Sequence, residues 1–500
     1  MIECKRFKEN IMNSATHRAK TWQIALFAAN NTSTNLYLMF LNFAAYFLTG
    51  YVGVGVVFAT TLLMSMRIWD AITDPLIGFM LDKTNGRFGK NRPFILIGNL
   101  ILILTTFLMF FVSTSVSESL RIYFFIFVYI IYIIGYTCQT VVTKSAQSCL
   151  TNDPKQRPLF GLYDGIYTII LFSGFPLLVS NYLIPIHGSF NQEFFKHLWF
   201  IVIPLSLFLA ILAIIALMEK DRLEYFGVGK EVKIKFKDYW EVLKSNRALQ
   251  MLIVSASSDK LGGLIKGNPT ITLIIYGIVC GNYALQGGVS LYVTIPQVII
   301  LFFGIKVWAQ RLGQRKALLY GSIGGIVCNL LLMASFYILD PTTFALPGIE
   351  GFNGFTLFTI IFLTLWILNA GFSQLAGSMV ITMTADCADY EVYRSGRYVP
   401  GLMGTLFSFV DKIISSFQTT IVGLLCAMIG FSQALPTVDT PYSESLKLVG
   451  LTCLCIFPII GFVCNLIAMK FYPLTREKMV EIQAEIAKIK EKTLMEANNE

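Results

Sequence analysis

Arg67, Asp70 and Asp74 lie within an apolar stretch of membrane length, 54–81, VGVVFATTLLMSMRIWDAITDPLIGFML. An Arg or Asp at mid-bilayer costs about 2.5–3.5 kcal/mol, so the three together cost roughly 8–10 kcal/mol, while each Leu or Ile returns only about 0.5 kcal/mol. Side chains this expensive must face protein or water. In a helix, offsets of i, i+3 and i+7 place all three on one strip, with the two carboxylates about 6 Å apart along the axis. Pro75 follows Asp74 directly, removes a backbone donor and frees the carbonyl of Ala71 beside the acids. Two carboxylates and a freed carbonyl suit a hard monovalent cation or a proton. The competing reading is an ion pair that only joins two helices.

The elements that must hold this strip follow from hydropathy. A chain of 500 residues with 55% hydrophobic and 14% charged residues and a mean hydropathy of +0.65 is a multi-pass membrane protein, not a soluble one. Apolar runs long enough for about 30 Å of hydrocarbon fall near 21–48, 54–81, 93–113, 121–149, 159–184, 196–218, 246–279, 285–309, 316–339, 355–386, 399–430 and 446–472. Twelve spans put both termini on one side. Taking the two tails and alternate loops as one side, 32 of the 39 Lys and Arg fall there; the other side holds only Arg121, Lys196 and Lys447, and four lie within spans. Both termini are therefore expected in the cytoplasm, in a cell (inner or plasma) membrane. The +9 balance is topology, and no nucleic-acid partner is expected. The polar start MIECKRFKEN and a long first span without a cleavage pattern predict no cleaved signal peptide. Ten cysteines, nearly all within spans, indicate no disulfide framework, and three ungrouped histidines argue against a zinc or haem site.

The mixed-charge connection 219–247 divides the chain into a tail (1–20), a first six-helix bundle (21–218), a second (248–472) and a final tail (473–500). The loop after span two, GFMLDKTNGRFGKNRPFILIGN from Gly78, and the loop after span eight, QRLGQRKALLYGS ending at Ser322, share a glycine, a basic cluster and a new apolar run at equivalent places in the two halves. The Gly78-xxx-Asp82-Lys83-xx-Gly86-Arg87 pattern resembles the loop signature of the major facilitator superfamily. The whole stretch RIWDAITDPLIGFMLDKTNGRFGKNRPFILIG is similar to the glycoside-pentoside-hexuronide:cation symporter family. A second block, from Met383 (TADCADYEVYRSGRYVPGLMGTLFSFVDKIISSF) to Phe417, and the tail FYPLTREKMVEI resemble the same family.

The resemblance implies an all-α membrane protein of the major facilitator fold, with twelve transmembrane helices in two pseudo-symmetric six-helix halves. It implies alternating access around a central cavity and coupling of a solute to Na⁺, Li⁺ or H⁺. Carried onto this chain, it makes Asp70 and Asp74 cation ligands, with Thr140 at the helix-four position of a family acid. Arg67, Lys412, Asp82 and Arg87 become coupling or gating residues. Lys412 lies mid-span and needs an acid, with Asp70 or Asp74 as candidates; adjacent Asp411 either faces another helix or neutralises it locally. The chain departs from the family where acids on helices one and four contact sugar: the corresponding positions fall near Thr34 and at Thr140. The helix-five arginine position falls near Asp164 and Gly165.

Asn31, Thr34 and Asn35 stack on one face of span one and suit a neutral polyol or, equally, interhelical hydrogen bonds. Gln139 in span four and Ser408 in span eleven join them as candidate solute contacts. Span seven carries Asp259, Lys260, Lys266 and the pair Gly262–Gly263, consistent either with a helix broken at the glycines or with one that begins below the membrane surface. Apolar residues at 479, 482, 486 and 489 form a stripe in the final tail, which packs on the cytoplasmic face or lies on anionic lipid. The functional expectation is a cation-coupled symporter of a small polar solute, most plainly a glycoside. The alternative is a facilitator-fold carrier of an amphiphilic or other non-sugar solute without obligatory coupling. No cofactor beyond the coupling cation, no enzyme activity and a monomeric state are expected.

Overall fold

Runs of Leu, Ile, Phe and Val punctuated by Gly, Pro and Asn fold as helices almost throughout the computed structural model of this protein, which describes residues 18–84, 86–151, 156–222, 243–349, 352–395, 400–475, 477–482 and 484–485. In the first half the helices are α1 (Thr21–Leu41), α2 (Val56–Lys83), α3 (Arg92–Phe107), α4 (Glu118–Ser145), α5 (Arg157–Leu177) and α6 (Gln192–Leu217). In the second they are α7 (Arg247–Lys266), α8 (Leu285–Gly304), α9 (Gln314–Ile338), α10 (Leu357–Ser395), α11 (Pro400–Met428) and α12 (Glu444–Phe471). Asn191, Asn246 and Ser443 start α6, α7 and α12 by accepting the backbone N–H of Phe194, Leu249 and Leu446. Two compact units result, residues 1–231 with 433–435, and 232–432 with 436–500.

Within the first unit α1 packs on α4, α5 and α6, α4 on α2 and α3, and α3 on α6. Within the second, α7 packs on α10, α11 and α12, α10 on α8 and α9, and α9 on α12. Each of these six pairings in the first unit has its counterpart six helices later in the second, as an internal repeat of six helices requires; α10 in addition touches α11. The repeat extends to the cores. Phe110 gathers Phe40, Phe47 and Phe195 at centroid distances of 4.6, 4.7 and 5.2 Å, and in the second unit Phe344 meets Phe362 at 4.6 Å and Phe336 meets Phe358 at 5.2 Å. Outward faces stay apolar: α2 exposes Trp69, Ile72, Leu76, Phe79 and Met80 on the side opposite its acids. Continuous exposed surface of this kind fits lipid, not water.

Ten helices among the described residues are long and apolar enough to cross a membrane. The remaining two of the twelve are α1 and α7, where the polar run Asn30–Asn35 and the group Asp259, Lys260 and Lys266 lower the hydropathy. The shortfall therefore marks the helices with interior polar work, not missing spans.

Span seven does not follow the first of its two readings. Gly262 and Gly263 do not break it; α7 runs through both and ends at Lys266, and after Gly267 and Asn268 the chain restarts at Pro269 and continues to Val279. Gly262 instead lets α12 approach: a Cβ there would stand 2.8 Å from the carbonyl oxygen of Phe457 and 3.0 Å from Cα of Pro458. Gly461 returns the fit, with a Cβ meeting the Ser258 oxygen at 2.8 Å. Small residues at a membrane helix crossing are the usual means of bringing two backbones together. Gly262→Val is expected to lower stability by about 1–3 kcal/mol or more because the obstructing atoms are backbone. Gly263→Ala, with nothing within 4 Å, is expected to be neutral or to gain up to about 1 kcal/mol. Thermal unfolding of the two purified variants checks this; equal melting temperatures would refute the crossing as the role of Gly262.

In the final tail, Met479 and Ile482 pack with Tyr472 and Leu474 on the buried cluster of the second unit, so the described part of the stripe lies on protein. Positions 486 and 489, and most of the 219–247 connection, fall outside the described residues.

Candidate functional site

Helix α2 presents Met66, Asp70, Thr73, Ile77 and Leu81 as its buried face, a spacing of three and four residues that seats it on α4. Asp70 is only 2% exposed. From α4 the Thr137 hydroxyl donates to Asp70 Oδ1 at 3.2 Å, and Thr73 lies 3.0 Å from the same hydroxyl while also donating to the Asp70 carbonyl at 3.1 Å. Tyr129, two turns along α4 from Thr137, is buried as well. Arg67 and Asp74 are half-buried one turn to either side of Asp70. Pro75 sits inside α2 without ending it, so the carbonyl of buried Ala71 loses its helical donor next to the acids. The result is a group of hard oxygens, from carboxylate, hydroxyl and carbonyl, where α2 meets α4, the donor type that small hard cations prefer.

The helix-four residue in this group is Thr137, not Thr140. Thr140 turns its hydroxyl onto the Thr137 carbonyl at 3.1 Å. Thr34 and Gln139 bond each other at 2.9 Å and are 1% and 0% exposed, so in this state they join α1 to α4 and do not line open space. Asn30 strengthens the same joint through Thr143 at 2.7 Å and the Gln139 carbonyl at 3.1 Å. Asn31 behaves differently: its amide donates to Asp164 of α5 at 2.7 Å, and both residues, like Asn35, are half-buried. Asp164 stands on the α5 face opposite exposed Leu162, Ile166 and Ile169. Residue type alone did not mark Thr137 or Asp164; the helix-four threonines and the helix-five acid acquire partners only through packing.

In the second unit, Asp411 of α11 faces α7 and closely pairs with Lys260, whose side chain is 48% exposed. Lys412 is half-buried beside it on α11. Lys266, at the end of α7, reaches Asn369 Oδ1 at 3.1 Å and lies over the Trp366 ring at 4.0 Å. Arg87 is exposed in the turn after α2. The side chains of Asp82 and Ser408 fall outside the described residues.

A sequence model described as MFS/sugar transport protein matches residues 25–476. The chain is 25% identical over 478 residues to a glucuronide carrier protein homolog of Escherichia coli (strain K12), covering 92% of this chain and 93% of that one. It is 24% identical over 474 residues to an isoprimeverose transporter of Lactiplantibacillus pentosus, covering 90% and 87%. Among solved structures, the nucleoside transporter NupG superposes with a TM-score of 0.58 at 13% identity over 91% of this chain and 99% of that one, a likeness of fold.

Proposed function

This chain belongs to the MFS/sugar transport protein family, and from that premise we propose that it is a secondary symporter that couples Na⁺, Li⁺ or H⁺ to the uptake of a glycoside-like solute across the cell membrane, acting as a monomer with both termini cytoplasmic. The observation that carries the reading is Asp70, a carboxylate buried within α2, held by Thr137 and sharing its helix with Arg67 and Asp74. Charged groups at this depth persist where an ion or proton must be handled. Asp70 and Asp74 receive the cation, the Thr137 and Thr73 hydroxyls and the Ala71 carbonyl complete its oxygen shell, and Arg67 offsets the acids when the cation leaves. A ligand shifts a conformational equilibrium only through different contacts in the two states, and exchange of cation for arginine supplies that difference. Asn31, Asn35 and Asp164 offer amide and carboxylate groups to solute hydroxyls, with Asp164 taking the acceptor role of the acids that this chain replaces by threonine on helices one and four. Relatives named for glucuronide and isoprimeverose support a solute of glycoside type.

The test is uptake of radiolabelled glycosides, pentosides and hexuronides into vesicles under imposed Na⁺, Li⁺ or proton gradients. Accumulation under one gradient and not the others names the cation. Entry at equal rates with every gradient collapsed would reject coupling, and no uptake of any sugar would reject the solute class.

A further inference from the structure

A cation site on α2 leaves the ammonium of Lys266 unexplained. It lies at the end of α7, where span seven breaks between Lys266 and Pro269. Among the described residues no carboxylate lies within 4.0 Å of it; Asn369 Oδ1 at 3.1 Å and the Trp366 ring at 4.0 Å hold it instead. Asp259 is two turns back on the same helix, about 10 Å along the axis and too far to pair. Asn369 is 3% exposed, and its amide nitrogen is spent on the Gly325 carbonyl of α9 at 3.4 Å, which leaves its oxygen facing the ammonium. Trp366 is backed by Phe362, stacked at 5.3 Å. Two side chains of α10 thus orient Lys266 without neutralising it, an arrangement that costs stability within a membrane unless an anion completes it. Beside it, Asn268 donates to Gln418 Oε1 of α11 at 3.1 Å, which leaves the Gln418 nitrogen as a donor at the same break.

Resting on the symport reading, we propose that Lys266, with Trp366 and Asn369, is a subsite that receives a carboxylate on the transported solute, so that the acidic glycosides are the better substrates of this chain. The ammonium forms the charge-assisted bond to the carboxylate, and the Gln418 amide donates to a neighbouring hydroxyl.

The experiment uses the full chain, purified and in liposomes, with methyl β-D-glucuronide and methyl β-D-glucoside as probes. Binding is read as ligand-induced thermal stabilisation and transport as gradient-driven accumulation, in wild type, Lys266→Met and Lys266→Gln. In wild type the glucuronide is expected to bind more tightly than the glucoside. Both variants should weaken the glucuronide roughly ten- to a hundredfold, leave the glucoside unchanged, and unfold without ligand at the wild-type temperature or above. Equal glucuronide binding in wild type and variants overturns the subsite. So does a lowered unfolding temperature with both sugars weakened alike, which is the behaviour of a lysine that only caps the end of α7. Glucuronide binding that is lost in the variants while neither sugar accumulates under any gradient sinks the symport reading and keeps the subsite. Glucoside accumulation without glucuronide binding does the reverse.

Discussion

Asp70→Asn and Asp74→Asn should each abolish gradient-driven accumulation while leaving the protein folded. An amide keeps the shape of the side chain but not the charge that a cation needs, and loss of a charged ligand is worth about 1.5–3 kcal/mol or more, ten- to a hundredfold in cation affinity. The fold should persist because each change removes a charge whose burial is itself costly; Asp70 is 2% exposed, and Thr137 can still bond an amide oxygen there. Unfolding temperatures at or above wild type, together with accumulation reduced to leak, are therefore expected as a pair. Thr137→Val, which preserves volume and deletes the hydroxyl, should weaken cation activation by about tenfold without abolishing it, whereas Thr140→Val should do little, since its hydroxyl is spent on the Thr137 carbonyl. The measurement is the cation dependence of uptake in vesicles alongside thermal unfolding. Cation-driven accumulation retained in both aspartate variants would remove α2 from the coupling site. Loss of folded protein in both would return the strip to the role of an ion pair joining helices.

The contrast between Thr137 and Thr140 also marks how far the sequence could be read. Acids within an apolar run announce themselves through their cost, so Asp70 and Asp74 were legible, and so were the twelve spans, because lipid and packed interior both demand apolar residues. A threonine in a helix carries no such signal: its hydroxyl commonly satisfies itself on a preceding carbonyl, as Thr140 and Thr60 do, and only packing turned Thr137 toward α2. The same limit applies to glycine. Gly262–Gly263 and Gly267 look alike as punctuation, yet the first pair continues a helix against α12 and the third ends it, because a glycine serves close approach as well as termination. Asn31 and Thr34, one turn apart on α1, both make interhelical bonds, Thr34 to Gln139 on α4 and Asn31 to a carboxylate on α5. The acid of greatest structural consequence was hidden altogether, because Asp221 sits in a connection of mixed charge where one more aspartate conveys nothing.

Asp221 is fully buried just beyond α6 and accepts the backbone N–H groups of Lys90, Asn91 and Arg92 at 3.2, 2.9 and 2.9 Å and the Asn91 side-chain amide at 2.9 Å. It therefore neutralises the start of α3, where unpaired N–H groups and the helix dipole concentrate positive charge, and the Arg92 guanidinium adds a contact at 3.6 Å. Gly89 is required beside it: φ is +88°, and a Cβ would stand 2.2 Å from the Asp221 carboxylate. The second unit ties the same two places together with the opposite chemistry, for Arg315, at the start of α9, donates to the Met469 carbonyl near the end of α12 at 2.6 and 2.9 Å. The repeat thus conserves the joint between its third and sixth helices while exchanging which partner carries the charge. Their expected energies differ. Asp221→Ala strands four donors, two of them fully buried, and should cost about 3–5 kcal/mol, roughly 10 °C in unfolding temperature, whereas Arg315→Met strands a single carbonyl acceptor and should cost about 1–2 kcal/mol. Gly89→Ala should resemble Asp221→Ala, since its methyl group occupies the place of the carboxylate. Thermal unfolding with hydrogen exchange over 86–95 would resolve the joint. Faster exchange confined to the start of α3 in Asp221→Ala is the expected result, and a variant that unfolds and exchanges as wild type would show that the helix start is satisfied by other means.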